Sequence, residues 1–269
     1  MALAARGSRF VEIVADDSSI DPKGNLTDGM GLVHRAVYKP AVTPLPAWVH
    51  LPAIAADESH GHRRSIRMEI EGTAEQTPAG PDKVNLNVVH GSAPYAPRFG
   101  DVKFLSFAIK LGKFDAQQPT ILMQWWQGTP YGPPLSVVAE GADSYKVLVR
   151  NDVTKGNPSA VPVTAGGGRF ASGWNTFVVE TVFDFAGENG VVIVWQNGRQ
   201  VVSWKGKVGY DPKGDPYAKP TGRHPNTGLD IHMGPYGGRQ TETRQVYYDD
   251  IRFGDSYAAV APVSPDKQK

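Results

Sequence analysis

Punctuation constrains this chain more than any other feature. Its 269 residues include 30 glycines and 22 prolines, which cut it into short runs rich in Val, Ile, Phe, Tyr and Trp. Eleven of these runs read as strands: "SIRMEIEG", "KVNLNVVH", "KFLSFAIKL", "TILMQWWQ", "LSVVAEG", "YKVLVRND", "NTFVVETVFDF", "GVVIVWQNG", "QVVSWKG", "LDIHMGPY" and "VYYDDIRFG". β-branched and aromatic side chains suit a pleated, half-buried surface, while Gly and Pro supply the turns between. No long segment repeats its apolar residues at helical spacing. In "QNGRQ", Asn197-Gly198 is the dipeptide that most readily takes up the positive φ angles of a tight hairpin, so the runs on either side should pair.

Many strands without alternating helices predict two packed antiparallel sheets: an all-β jelly roll, a concanavalin A-like two-sheet sandwich. Chains of this length commonly form one such domain, so a single unit over residues 1–269 is expected, with tails at about 1–10 and 262–269. "APYAPRFGD" and "YDPKGDPYAKPTGRHPNTG" read as long loops, since their prolines remove backbone donors. One sheet of such a sandwich is typically concave. Floored with polar and aromatic groups, it makes a groove for an extended polymer.

Charge narrows the partners. With 28 basic and 27 acidic residues the net charge is +1, so no global field recruits nucleic acid or an anionic membrane surface. Any anion must be recognised locally. No apolar run approaches the ~20 residues of a membrane-spanning helix, and the absence of cysteine rules out disulfides and thiolate metal sites. The start "MALAARGSRF" lacks a charged head followed by a long apolar segment. With "ALAA" taken as the remnant of a removed signal, a secreted or periplasmic monomer is the expectation.

Alternation then sorts side chains by face. In "LDIHMGPY", Asp230, His232, Gly234 and Tyr236 share one face, and Leu229, Ile231 and Met233 the other. Tyr236 follows Pro235, which suits an edge or a bulge that re-aims a side chain. His232 and Tyr236 are a candidate acid–base pair, the alternative being two merely exposed residues. In "TILMQWWQ", Ile121, Met123 and Trp125 share one face and Leu122, Gln124 and Trp126 the other; Gln124 and Trp126 could bond to and stack on a sugar, unless Trp126 is core. In "KVNLNVVH", Val84, Leu86 and Val88 point inward and Asn85 and Asn87 outward, and His90 stands where the strand ends. In "SIRMEI", Ile66, Met68 and Ile70 point inward, Arg67 and Glu69 outward.

The order of these pieces resembles the jelly-roll polysaccharide lyases of the heparin lyase I and glucuronan lyase type, and more distantly the alginate lyases. The resemblance runs from about residue 60 to residue 257. It is carried by "HRRSIRMEI", by "FLSFAIKL…ILMQWWQ…PPL", by "GWNTFVVETVF…GVVIVWQNGRQVV", by "GLDIHMGPY" and by "VYYDDIRFGDSY". In that family the late strand commonly reads Lys-x-Gly-x-Tyr, with its tyrosine a catalytic acid or base. Here His232-Met-Gly234-Pro-Tyr236 keeps the spacing, with histidine in place of lysine. The Gln-x-His of alginate lyases meets Gln124-Trp125-Trp126 and so lacks its histidine; the resemblance to glucuronan lyases, which carry their histidine on an earlier strand, makes His90 the better candidate for the second catalytic group.

The resemblance implies β-elimination on a uronic acid polymer. Removing a proton next to a carboxylate builds negative charge on an already charged group, so donors must first neutralise that carboxylate. Tyr236, His90, Gln124 and His232 are the catalytic candidates; Arg67, Asn87, Trp126 and Arg98, the last in the "APYAPRFGD" loop, are the substrate-binding ones. Tyr236 could serve as both base and acid in a syn elimination, or His90 as base with Tyr236 as acid in an anti one. The chemistry requires no cofactor. Asp249 falls on the core face of its strand and must be paired or metal-bound, so a structural calcium ion and a hydrogen-bonded turn stay open as alternatives. Two rival functions remain. A glycoside hydrolase needs paired carboxylates, which Glu180 and Asp184 on one strand face do not supply. A non-catalytic carbohydrate-binding domain would use the same aromatics without turnover.

Overall fold

The computed structural model describes residues 8–39, 45–56, 58, 60–61, 63–73, 81–114, 117–128, 132–151, 162–184, 189–210 and 228–262. Its strands form two sheets, antiparallel throughout. The front sheet runs, in spatial order, Val33–Lys39, Pro81–Val89, Asp230–Gly238, Thr120–Trp126, Leu135–Ala139, Ser144–Val149 and Val163–Arg169. The back sheet runs Arg199–Lys205, Val191–Gln196, Asn175–Val182, Val102–Phe114 and Arg244–Gly254. Both Ser65–Ile70 and Arg9–Ile13 then share the far edge of that last strand, and Ala53–Ala55 lies beyond Ser65–Ile70. A pairing of Gly166 with Val202 joins the two sheets at one side. This is the predicted all-β jelly-roll sandwich.

The core lies between the sheets. Leu86, Met123, Trp125 and Met233 enter it from the front, Phe107, Phe177, Tyr248 and Phe253 from the back. Trp125 packs 5.1 Å from Phe183 and 6.0 Å from Phe253, ring centre to ring centre. Tyr248, fully buried, donates its hydroxyl to the Leu122 carbonyl at 2.7 Å and so ties back sheet to front. Burial pushes that phenol well above its ordinary pKa, as expected where an anion would have no water.

Period-two alternation placed Ile66, Met68, Ile70, Val84, Leu86 and Val88 correctly in the interior. Leu122 departs from it. Expected on the Gln124 face, it is fully buried, and Ile121 is half-exposed instead, because the register against Leu135–Ala139 slips between Val137 and Val138. A bulge of this kind reverses facing for the residues beyond it.

Six strands among the described residues lie outside the eleven predicted; three of them, Ser19–Ile20, Leu26–Thr27 and Ala53–Ala55, are only two or three residues long. Arg9–Ile13, whose first two residues fall in the expected tail, pairs with Arg244–Gly254. Val33–Lys39 flanks the front sheet. Val163–Arg169 contains three successive glycines that argue against a strand, yet closeness requires them. A Cβ on Gly167 would overlap the Tyr145 carbonyl, and one on Gly168 would crowd the Tyr145 hydroxyl. Residues 1–7, 263–269 and most of the second predicted loop, 211–227, lie outside the described residues.

Candidate active site on the front sheet

Register assembles the site. Arg35 pairs with Asn87, Asn87 with His232, His232 with Gln124 and Gln124 with Ser136, so five side chains from five neighbouring strands form one row on one face. A second row holds Lys39, Lys83, Tyr236 and Ile121. Trp126 pairs with Asp230 beyond the first row, and its ring stands edge-on to His232 at 5.7 Å. The phenol, imidazole, carboxamide and indole expected to work together therefore share one face.

Two local devices aim these groups. Gly234 has φ of 131°, and a Cβ there would collide with the Val84 carbonyl, the Met68 sulfur and the Asn85 amide. Asn85 Nδ2 donates to the Gly234 carbonyl at 2.5 Å, fixing the bulge after which Tyr236 re-emerges on the front face. At the other end Gly91 N donates to Asp230 Oδ1 at 2.5 Å, holding the turn that follows His90 against the strand of His232. His90 is exposed and lines an open cleft of about 240 Å³ with Val33, Arg35, Asn87 and Ser92.

The electrostatics divide these residues into satisfied and open groups. Asp230 and His232 are buried, with Asp230 Oδ2 3.6 Å from His232 Nε2. Lys83, 6% exposed, brings its ammonium within 3.1 Å of His232 Nδ1 and 5.2 Å of the Tyr236 ring centre. Lys39 reaches the same ring at 5.4 Å. Burial first, then the charge of Lys39, pulls the Lys83 pKa down to about 8, with Asp230 opposing. By contrast, the Arg35 guanidinium, the Gln124 carboxamide and the Tyr236 hydroxyl make no hydrogen bond to any described residue.

Several expected roles are corrected here. His232 is buried and closed in by Trp126, Lys83 and Asp230, so its ring nitrogens face protein groups. Asn87 spends its amide hydrogens on the carbonyls of Ile231 at 3.2 Å and Val89 at 2.5 Å, pinning the bulge in its own strand, and has none left for a ligand carboxylate. Arg67 belongs to the back sheet, opposite Tyr247, with Glu69 at 3.8 Å. Alternation showed that it faced outward but could not say from which sheet. Arg98 is exposed in the loop beside the start of strand Asp230–Gly238, where Leu229 N bonds to the Pro97 carbonyl, and its guanidinium pairs with no described residue. Asp249 is fully buried in the back sheet and accepts the backbone amides of Asp250 at 2.8 Å and His60 at 3.2 Å. Among the described residues no three His, Cys, Asp or Glu side chains cluster as a metal site.

Sequence reasoning missed Arg35, Lys39 and Lys83. Lys83 was legible, two steps before Asn85 and four before Asn87 on the same face; the other two lie on a strand that was not predicted.

A family model for polysaccharide lyases matches residues 55–252, a span that includes Gln124, Tyr236 and His90. The chain belongs to the polysaccharide lyase family. It is a lyase acting on polysaccharides, with the jelly roll of that family. Among solved structures, endo-β-1,4-glucuronan lyase from the fungus Trichoderma reesei is similar at 16% identity and a TM-score of 0.55, over 86% of this chain and 98% of that one. An alginate lyase from Pseudomonas aeruginosa is similar at 16% identity and a TM-score of 0.42, over 71% and 83%. The binding domain of a serotype D/C botulinum neurotoxin also matches, at 10% identity and a TM-score of 0.51, over 96% and 52%. Such breadth shows that this fold hosts unrelated functions, so function rests on the family and the site. No curated protein matches the chain in sequence. No helix among the described residues is long and apolar enough to cross a membrane.

Proposed function

We propose that this lyase cleaves a uronic acid polymer of the glucuronan kind by β-elimination, with Tyr236 as the proton-transfer group. The observation that carries the reading is the set of open donors on one face: Arg35, Gln124 and Tyr236, with the ammoniums of Lys39 and Lys83 beside the phenol. A uronate carboxylate fits donors of this kind. Gln124 and Arg35 take its charge, which stabilises the carbanion-like transition state by a few kcal/mol per well-placed donor. The Tyr236 oxygen, as phenolate, takes the C5 proton; the C5–H electron pair becomes the C4–C5 double bond, and the C4–O bond breaks. The departing glycosidic oxygen then takes the proton from the Tyr236 hydroxyl. One tyrosine serving both steps makes the elimination syn.

The hydrogen bonds of His90 fit this assignment. His90 Nδ1 is engaged by Ser92, whose Oγ lies at 2.7 Å and whose backbone N donates to it at 3.2 Å, which leaves Nε2 as the nitrogen free of that turn. With Nδ1 held by Ser92, a ring donating from Nε2 would suit a carboxylate or a leaving oxygen in the cleft it shares with Arg35. Asp230 makes a poor hydrolase carboxylate, being buried and bound by Gly91, and Glu180 lies on the back sheet.

The test is to incubate the protein with glucuronan, alginate, heparin-like and pectic polymers and follow the ultraviolet absorbance of a C4–C5 unsaturated uronate. Growth of that absorbance with one of them is expected. Polymer binding without new absorbance would replace the proposal with a carbohydrate-binding role.

A further inference from the structure

We infer that Lys83 is a positioning residue for the elimination: its ammonium, shared between His232 Nδ1 and the Tyr236 ring, supplies the charge that favours a negative phenolic oxygen. The inference rests on the lyase reading above. Its ground is geometric. Lys83 comes from strand Pro81–Val89 and lies 3.1 Å from His232 Nδ1 and 5.2 Å from the Tyr236 ring centre, while nearly all of its own surface is buried. A buried ammonium is costly unless something uses its charge. Three groups face it: Lys39 from the flanking strand, and His232 and Tyr236 from the strand on its other side, with Asp230 behind His232. Since an ammonium only donates, His232 Nδ1 must accept from it, which places the ring proton on Nε2 toward Asp230. The same ammonium lies against the phenol ring. Asp230, His232, Lys83 and Tyr236 thus form one chain on the face that carries Gln124 and Arg35.

This arrangement makes the charge on Lys83, and with it turnover, sensitive to pH. Because burial and Lys39 hold the Lys83 pKa near 8, the ammonium is present below that pH and lost above it. Turnover should fall as pH rises through about 8. Lys39 is exposed, so Lys39→Gln keeps the fold while removing a charge that depresses Lys83; the alkaline fall should then move to higher pH.

The experiment is a set of pH–rate profiles for wild type, Lys39→Gln, Lys83→Arg, Lys83→Met and Tyr236→Phe, each checked by thermal melting. Lys83→Arg should stay within about tenfold of wild type below pH 8 and lose the alkaline fall, because guanidinium keeps its proton. Lys83→Met, which preserves the buried stem, should lower turnover roughly 100-fold and flatten the alkaline limb. An unmoved limb in both Lys39→Gln and Lys83→Arg would overturn the inference. If Tyr236→Phe abolishes turnover while those limbs stay put, the lyase reading stands and only the role of Lys83 falls. Full turnover in Tyr236→Phe would remove the reading itself.

Discussion

Two buried polar clusters of this sandwich, one around Arg252 on the back sheet and one around Lys83 on the front, use charge in opposite ways. On the back sheet, polar groups close on one another. Arg252 donates to Asp250 Oδ1 at 2.7 Å and to Glu12 Oε1 at 3.1 Å, Arg9 reaches the same Glu12 oxygen at 2.6 Å, and Asp249 is spent on backbone amides. Asp250 takes a φ of 53° at a bulge, where the register against Val102–Phe114 slips between Asp249 and Arg252. Around Lys83 the pattern is inverted, although the front sheet also closes Asp82 on Arg239 at 3.1 Å and His34 on Asp28 at 2.8 Å. Buried Lys83, His232 and Asp230 stand beside Arg35, Gln124 and Tyr236, whose donors have no partner among the described residues. Closed networks hold a bulged strand in place; open donors beside a buried charge wait for an anion. The same residue types thus mean structure in one cluster and chemistry in the other, and the pairing of their hydrogen bonds tells them apart.

The contrast can be broken by substitution. Arg252→Met should cost about 3–5 kcal/mol, because it removes the guanidinium bonded to the buried Asp250 carboxylate, while turnover per folded molecule stays at the wild-type value. Chemical denaturation paired with a rate assay separates these, and a large loss of rate without a loss of stability would erase the distinction between the clusters. Gln124→Ala should do the reverse, lowering kcat/KM by about 100-fold, close to 2.7 kcal/mol, with little change in melting. A smaller effect concerns acid. Burial pushes the Glu12 carboxyl up, but hydrogen bonds from Arg252 and Arg9 outweigh it and leave its pKa below the usual 4.5. A carboxyl with a lowered folded-state pKa adds stability that is present above 4.5 and lost as pH falls through the folded value. Melting temperature should therefore drop on acidification below that range, and less so in Glu12→Gln. The smallest effect belongs to Arg67→Ala, which should change kcat/KM by less than about twofold, since its loose pairing with Glu69 at 3.8 Å sits on the wrong sheet.

Much of this was legible in the sequence. Alternation fixed the inward sets Val84, Leu86, Val88 and Ile66, Met68, Ile70, and punctuation marked most strands of both sheets. Gln124, Trp126 and Tyr236 were read onto a polar face, and the structure sets them side by side with His232. What alternation cannot give is the identity of the sheet. Arg67 and Arg35 carry the same outward parity, and only pairing sends one to the back and the other to the row with Gln124. Bulges were equally invisible: those at Leu122, at Asn87 and at Gly234 re-aim a leucine, an amide and the phenol, and each arises from contacts between strands far apart in sequence. Strand Val33–Lys39 lacks the apolar run that marks its neighbours, so two of the site's cations went unseen.

The measurement closest to the central claim is the turnover of Tyr236→Phe on whichever uronate polymer the wild type cleaves. The variant keeps the ring between Lys39 and Lys83 and removes one oxygen. Unsaturated product should form about a thousandfold more slowly, with unchanged melting and polymer affinity. A folded variant that turns over within about threefold of wild type would contradict the assignment of proton transfer to this phenol.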